Sequence, residues 1–128
     1  MKKFTTTLLS IIFLVTAVSF SQAAEQKLLI ESFTGTWCGP CGAYGKPTTE
    51  TVLSTWPDNV FVSEFHVGSS DPFAIEEAPP LQQAFGISGV PGALLNRNPF
   101  NSQDGTIFSL HPNYWEQVIP GLLEQTAP

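Results

Sequence analysis

At 128 residues the chain is long enough for one domain with a single core and short for two. Its formal net charge is −6, and beyond residue 23 only Lys27, Lys46 and Arg97 stand against all 11 Asp and Glu. A surface of that sign repels phosphate backbones and anionic lipid headgroups, which argues against nucleic-acid binding.

Lys2 and Lys3 precede an almost unbroken apolar run from Leu8 to Phe20, and Ser21-Gln22-Ala23 puts small residues where a signal peptidase reads. This is the pattern of a secretory signal peptide over residues 1–23. The run is shorter than the roughly 20 apolar residues of a membrane span. The expectation is one domain over residues 24–128, periplasmic or secreted, with no stable membrane span after cleavage. No cysteine closely follows the apolar run to serve as a lipid attachment point.

In chain order, Lys27 to Phe33 reads as a buried strand and Thr34-Gly35-Thr36 as a turn into a helix. Pro40 suits the first turn of that helix, Pro47 should kink it, and Val52, Leu53 and Trp56 supply its apolar stripe. Val60 to Val67 reads as a second strand. The helix between the two makes a βαβ unit, so they should be parallel. Gly68 to Pro80 is a polar loop in which Asp71-Pro72 can start a turn, and Pro80 to Phe85 is a short helix closed by Gly86. Ala93 to Asn96 is a third strand. Thr106 to Leu110 is a fourth, paired antiparallel through the loop Asn98 to Gly105. The last helix starts near Pro112, with Tyr114/Trp115, Val118/Ile119 and Leu122/Leu123 on its buried face and Pro120-Gly121 interrupting it. The order β-α-β-α-β-β-α predicts an α/β fold with a mixed four-stranded sheet and helices on both faces.

The chemistry is concentrated in Trp37-Cys38-Gly39-Pro40-Cys41, which holds both cysteines of the chain. A bridge across so short a loop removes little unfolded-chain entropy, so the spacing suits redox exchange better than stapling. The pair lies where a strand gives way to a helix. Unpaired N–H groups and the partial positive charge of the helix end favour a thiolate at Cys38. Cys38 is then the nucleophile. Cys41, one turn further in, resolves the mixed disulfide.

This motif, together with Val90-Pro91 before the third strand, resembles the thioredoxin superfamily, and the element order matches the minimal thioredoxin-like fold. The resemblance covers the domain after the leader. It implies that Pro91 is cis and faces the cysteines, where it holds substrate backbone and keeps metal ions off the thiolates. The implied substrate-binding set is Trp37, Gly39, Pro40, Val90 and Pro91, with Cys38 and Cys41 catalytic and neither metal nor cofactor required. Within the superfamily, Glu31 to Cys38, Asp71-Pro72-Phe73, Leu95-Asn96-Arg97 and Trp115 resemble a family of bacterial outer-membrane-associated proteins with a thioredoxin-like domain, whose members usually continue into further β-rich sequence.

One position departs from thioredoxins, which carry a buried acid six residues before the first cysteine. Here that residue is Ser32, and strand alternation turns the adjacent Glu31 to the opposite face. Glu64 and His66 share one face near the end of the second strand, which points to the site in open α/β sheets. His66 is read either as a hydrogen-bonded structural histidine, the plainer alternative, or as a neighbour of the cysteines. A zinc set of Cys38, Cys41, His66 and His111 lacks the usual histidine spacing. Trp56 and Trp115 are core candidates, and Trp37 is a partly exposed residue covering the disulfide.

The functional expectation is an exported thiol-disulfide oxidoreductase. The Gly39-Pro40 dipeptide resembles that of thioredoxin, a reductant near −270 mV, rather than the periplasmic oxidant near −120 mV. Its partners would be disulfides of other exported proteins, with a membrane thiol reductase as electron donor. The alternative is a catalytically idle thioredoxin-like binding module of an outer-membrane or surface assembly.

Overall fold

A computed structural model describes residues 25–102, 105–107 and 110–125; the expected signal peptide lies outside them. Strand β1 (Leu28–Thr34) is the centre of a three-stranded sheet. Strand β2 (Val60–His66) runs parallel on one side, with Leu28 opposite Val60 and Thr34 opposite His66. Strand β3 (Gly92–Leu95) runs antiparallel on the other, with Ile30 opposite Leu95 and Phe33 opposite Gly92.

The period-2 alternation of strands divides these side chains between two cores. On one face Leu28, Ile30, Val60, Ala93 and Leu95 pack with Val52 of helix α1 (Lys46–Thr55) and with Trp115, Ile119 and Leu122 of helix α3 (Trp115–Leu123). On the other, Phe33 and Leu94 pack with Val67, Ile87 and Ala78 of helix α2 (Ala78–Ala84). Helices therefore cover both faces, and Trp115, with no exposed surface, anchors the larger core. Trp56 packs at its margin.

The expected fourth strand of the sheet is corrected by the structure. Strands β4 (Phe100–Ser102) and β5 (Gly105–Ile107) pair with each other in a separate two-stranded ribbon, with Phe100 opposite Ile107. Within the segment Asn98 to Gly105, read from sequence as a loop, Phe100–Ser102 forms a strand that pairs with Gly105–Ile107. Of the expected fourth strand Thr106 to Leu110, residues 108 and 109 lie outside the described residues; among those described, Leu110 reaches the sheet through an antiparallel bridge to Ala93 with N···O distances of 3.0 and 2.8 Å.

The prolines are accommodated locally. A π-helical turn, Cys41–Gly45, precedes α1, and the Lys46 N–H reaches back to the Cys41 carbonyl. That wider turn brings Pro47 into the first turn of the α-helical segment, where its missing N–H is tolerated. Helix α2 begins at Ala78 rather than Pro80, so Pro79 and Pro80 both fall in its first turn. Helix α3 follows a 3₁₀ turn, Pro112–Tyr114, and continues through Pro120 to Leu123. No helix among the described residues is long and apolar enough to cross a membrane.

Candidate active site

The end of β1 delivers the chain through Gly35 and Thr36 to Trp37-Cys38, and the helical backbone begins at Gly39. Cys38 and Cys41 form a disulfide with a Cα–Cα distance of 5.3 Å. Both are buried, at 7% and 4% exposure. The Cys41 N–H points at Cys38 Sγ, 3.1 Å away. The Val90–Pro91 peptide bond is cis, and the Val90 carbonyl oxygen lies 3.8 Å from Cys38 Sγ. Pro91 is buried beside the cysteines, whereas Gly39 and Pro40 are exposed.

Cys38, Cys41 and Pro91 open onto a cleft of about 610 Å³ between the sheet and the first helix. Alternate strand positions build its floor: Ser32 and Thr34 from β1, and Val62, Glu64 and His66 from β2. Cys38, Cys41, Lys46, Thr49 and Glu50 line the helical side. Sequence reasoning placed Ser32 on the site side of β1 and Glu31 on the other, and the structure agrees. Glu31 is only 5% exposed and is gripped from the far side by Arg97, with Nε–Oε2 at 2.7 Å and Nη2–Oε1 at 2.6 Å.

The structure gives His66 the hydrogen-bonded environment of the plainer alternative, on the wall of the same cleft. It lines the cleft with the cysteines, and its Nδ1 lies 3.2 Å from each carboxylate oxygen of Asp71. Asp71 has a fully buried side chain. It also accepts the Thr36 N–H at 2.6 Å, the Thr36 hydroxyl at 3.1 Å and the Phe73 N–H at 2.9 Å. Burial pushes this carboxyl up. The hydrogen bonds from the Phe73 and Thr36 N–H groups, from His66 and from the Thr36 hydroxyl outweigh that and bring it down to about 2. The sequence marked Asp71 as a turn former and as part of a family resemblance, but not as a partner of His66. The available signal was its place five residues after His66, close enough for the loop to fold back on the strand end.

Trp37 is 56% exposed and held at its edge, where the indole Nε1–H donates to the Val67 carbonyl at 2.8 Å. The ring rests on two glycines: a Cβ at Gly35 or at Gly68 would come within 2.7 Å of Nε1. His111 is not in the cleft. Its ring packs on Tyr44 at 5.4 Å between centroids, and its Nδ1 accepts the Asn113 N–H. Among the described residues, no three His, Cys, Asp or Glu gather as metal ligands.

No family model matches the chain. Over 84 residues it is 34% identical to a Streptomyces coelicolor protein named "Putative thioredoxin 2", an alignment covering 65% of this chain and 55% of that protein. The chain thus spans about half the length of the curated relative it matches. Among solved structures it is similar to mitochondrial thioredoxin 3 of Saccharomyces cerevisiae, at a TM-score of 0.51 and 20% identity over 76% of this chain and 80% of that one. It is likewise similar to the germline thioredoxin Deadhead of Drosophila melanogaster, at a TM-score of 0.52 and 16% identity over 76% and 82%. A mutant thioredoxin of Halobacterium salinarum gives 0.51 and 20% over 80% of each chain. With its parallel β1–β2 pair, its antiparallel β3 after a cis proline and its cysteine pair at the head of the first helix, the chain has the thioredoxin fold.

Proposed function

We propose that this protein is a thiol-disulfide oxidoreductase in which Cys38 attacks and Cys41 resolves. The observation that carries this reading is the Cys41 N–H aimed at Cys38 Sγ, 3.1 Å away, at the start of a helix. A backbone donor in that place stabilises a sulfur anion, which makes Cys38 the better nucleophile and the better leaving group. In the reduced protein, the Cys38 thiolate attacks a substrate disulfide. One S–S bond breaks, a mixed disulfide forms and the first substrate thiolate leaves. Cys41 then loses its proton and attacks Cys38 Sγ. This re-forms the Cys38–Cys41 bond and releases the second thiolate, so two electrons pass to the substrate. An external dithiol restores the starting state.

Trp37, Gly39 and Pro40 adjoin the cysteines in sequence, and Val90 reaches Cys38 with its carbonyl beside Pro91; this supports assigning the five as the surface on which a substrate strand would lie. The leader-like residues 1–23 support an exported location, periplasmic or outer-membrane-associated, and the Gly39-Pro40 dipeptide supports a reducing direction. The substrates would then be disulfides of other exported proteins, with electrons supplied by a membrane thiol reductase. The mature domain should reduce insulin disulfides in the presence of dithiothreitol, and Cys38→Ser should abolish this. Equal, negligible turnover by both proteins would favour the idle binding module. A reduction potential above about −150 mV against glutathione would overturn the reducing direction.

A further inference from the structure

The oxidoreductase reading leaves one proton unassigned: the one Cys41 must lose before it can attack. Ser32, on the site side of β1, lines the cleft but is a neutral hydroxyl and a poor base. The other titratable groups facing the cleft are Lys46 and Glu50, which pair with each other at 2.8 Å, together with Glu64 and His66 on β2 and the cysteines themselves. Glu64 is exposed to solvent and, among the described residues, has no hydrogen-bond partner to orient it in the cleft, whereas an imidazole changes charge in the neutral range.

The ring of His66 is also oriented. Asp71 is ionised, so its oxygens can only accept, and the nitrogen facing them must carry the proton. The neutral ring therefore keeps its lone pair on Nε2. Phe73 packs edge-on against the same ring, with centroids 5.3 Å apart. The His66 backbone sits opposite Thr34, the last residue of β1 and four residues before Cys38, so His66 stands at the end of the sheet from which the chain runs to the nucleophile.

We propose that His66 is the proton relay of the cysteine pair, held in its tautomer by Asp71. Nε2 takes the proton from the Cys41 thiol as the mixed disulfide is resolved. The Asp71 carboxylate stabilises the resulting imidazolium. The proton then passes to the departing substrate thiolate or to water, and the neutral ring is restored. In the oxidising direction the same steps run backwards.

The test rests on the oxidoreductase reading and separates the two steps. The full domain, reduced beforehand and freed of reductant, is mixed in stopped flow with 5,5′-dithiobis(2-nitrobenzoate), whose thiolate is coloured. Attack by Cys38 releases one equivalent, and resolution by Cys41 releases the second. In His66→Gln, which keeps a donor for Asp71 but has no base, the first release should stay within about twofold of wild type. The second should slow by about 10²-fold, the scale of general base catalysis. In His66→Ala, added imidazole should restore the second phase in proportion to its concentration. A purely structural histidine would not produce that rescue. An unchanged second phase in His66→Gln, or a slowed one in His66→Ala that imidazole does not restore, would overturn the relay alone. A wild type that releases no thiolate at all would overturn the relay and the oxidoreductase reading together.

Discussion

Gly68 has a φ of +101°, a backbone region that favours glycine, and the Trp37 indole occupies the space a side chain would need. Gly35 meets the same ring from β1's exit but has no left-handed φ. The two positions therefore separate backbone strain from steric displacement. Gly35→Ala should push the indole off the Val67 carbonyl and cost about 1–3 kcal/mol, the scale of one lost hydrogen bond with local repacking. Gly68→Ala adds about 1–2 kcal/mol of left-handed strain. Urea unfolding should rank wild type above Gly35→Ala above Gly68→Ala, and both variants should alter tryptophan fluorescence. Equal stability for all three would show that the indole moves aside freely. Asn96 and Arg97 also adopt left-handed backbone, with φ of 50° and 52°. Asn96 tolerates this because its side chain accepts the Leu29 N–H at 2.7 Å and donates to the Lys27 carbonyl at 3.2 Å, which ties the end of β3 to the start of β1.

Much of the fold could be read from the sequence at the level of elements, because the decisive signals were local. The apolar run at Leu28 to Phe33, the proline and glycine punctuation and the four-residue repeat in α3 each report on their own segment, and β1, β2, β3 and the three helices lie close to their expected places. The cysteine pair was equally plain, since its spacing is its chemistry. What escaped was non-local. Nothing in the local pattern announces that Phe100–Ser102 pairs with Gly105–Ile107, because strand pairing is decided by which segments the fold brings together. The π-helical turn ahead of Pro47 is a similar case: a kink was foreseen, but the form it takes depends on how the Cys41 carbonyl finds the Lys46 N–H. The His66–Asp71 pair lay between the two. Strand alternation put His66 on the site face, but recognising its partner required the path of a loop whose composition says only that it is polar.

Across the whole molecule, Asp71 joins three segments that separate in sequence: the loop before the cysteines through Thr36, the end of β2 through His66, and its own loop through Phe73. Its charge therefore holds the catalytic end of the sheet together, and acid should release it. The carboxyl titrates at about 2 in the folded protein against 3.8 ordinarily, so the folded state binds its proton less readily than the unfolded chain does. The sign follows from linkage: the contribution to stability is fully present above about pH 4 and is lost as pH falls towards 2. Glu25 is also lowered, by its hydrogen bond from Asn59 and by Lys27, and acts in the same direction. It is exposed, so screening leaves it little weight. Protonation of Asp71 removes an ionised acceptor from the Thr36 N–H and hydroxyl, the Phe73 N–H and His66 together. Asp71→Asn keeps one acceptor oxygen but has no charge to titrate. It should be less stable than wild type at pH 7, and its denaturation midpoint should change less between pH 4 and pH 2. Urea titrations of the oxidised proteins at pH 7, 4, 3 and 2 measure this directly. Parallel curves for the two proteins across that range would show that the acid sensitivity arises elsewhere.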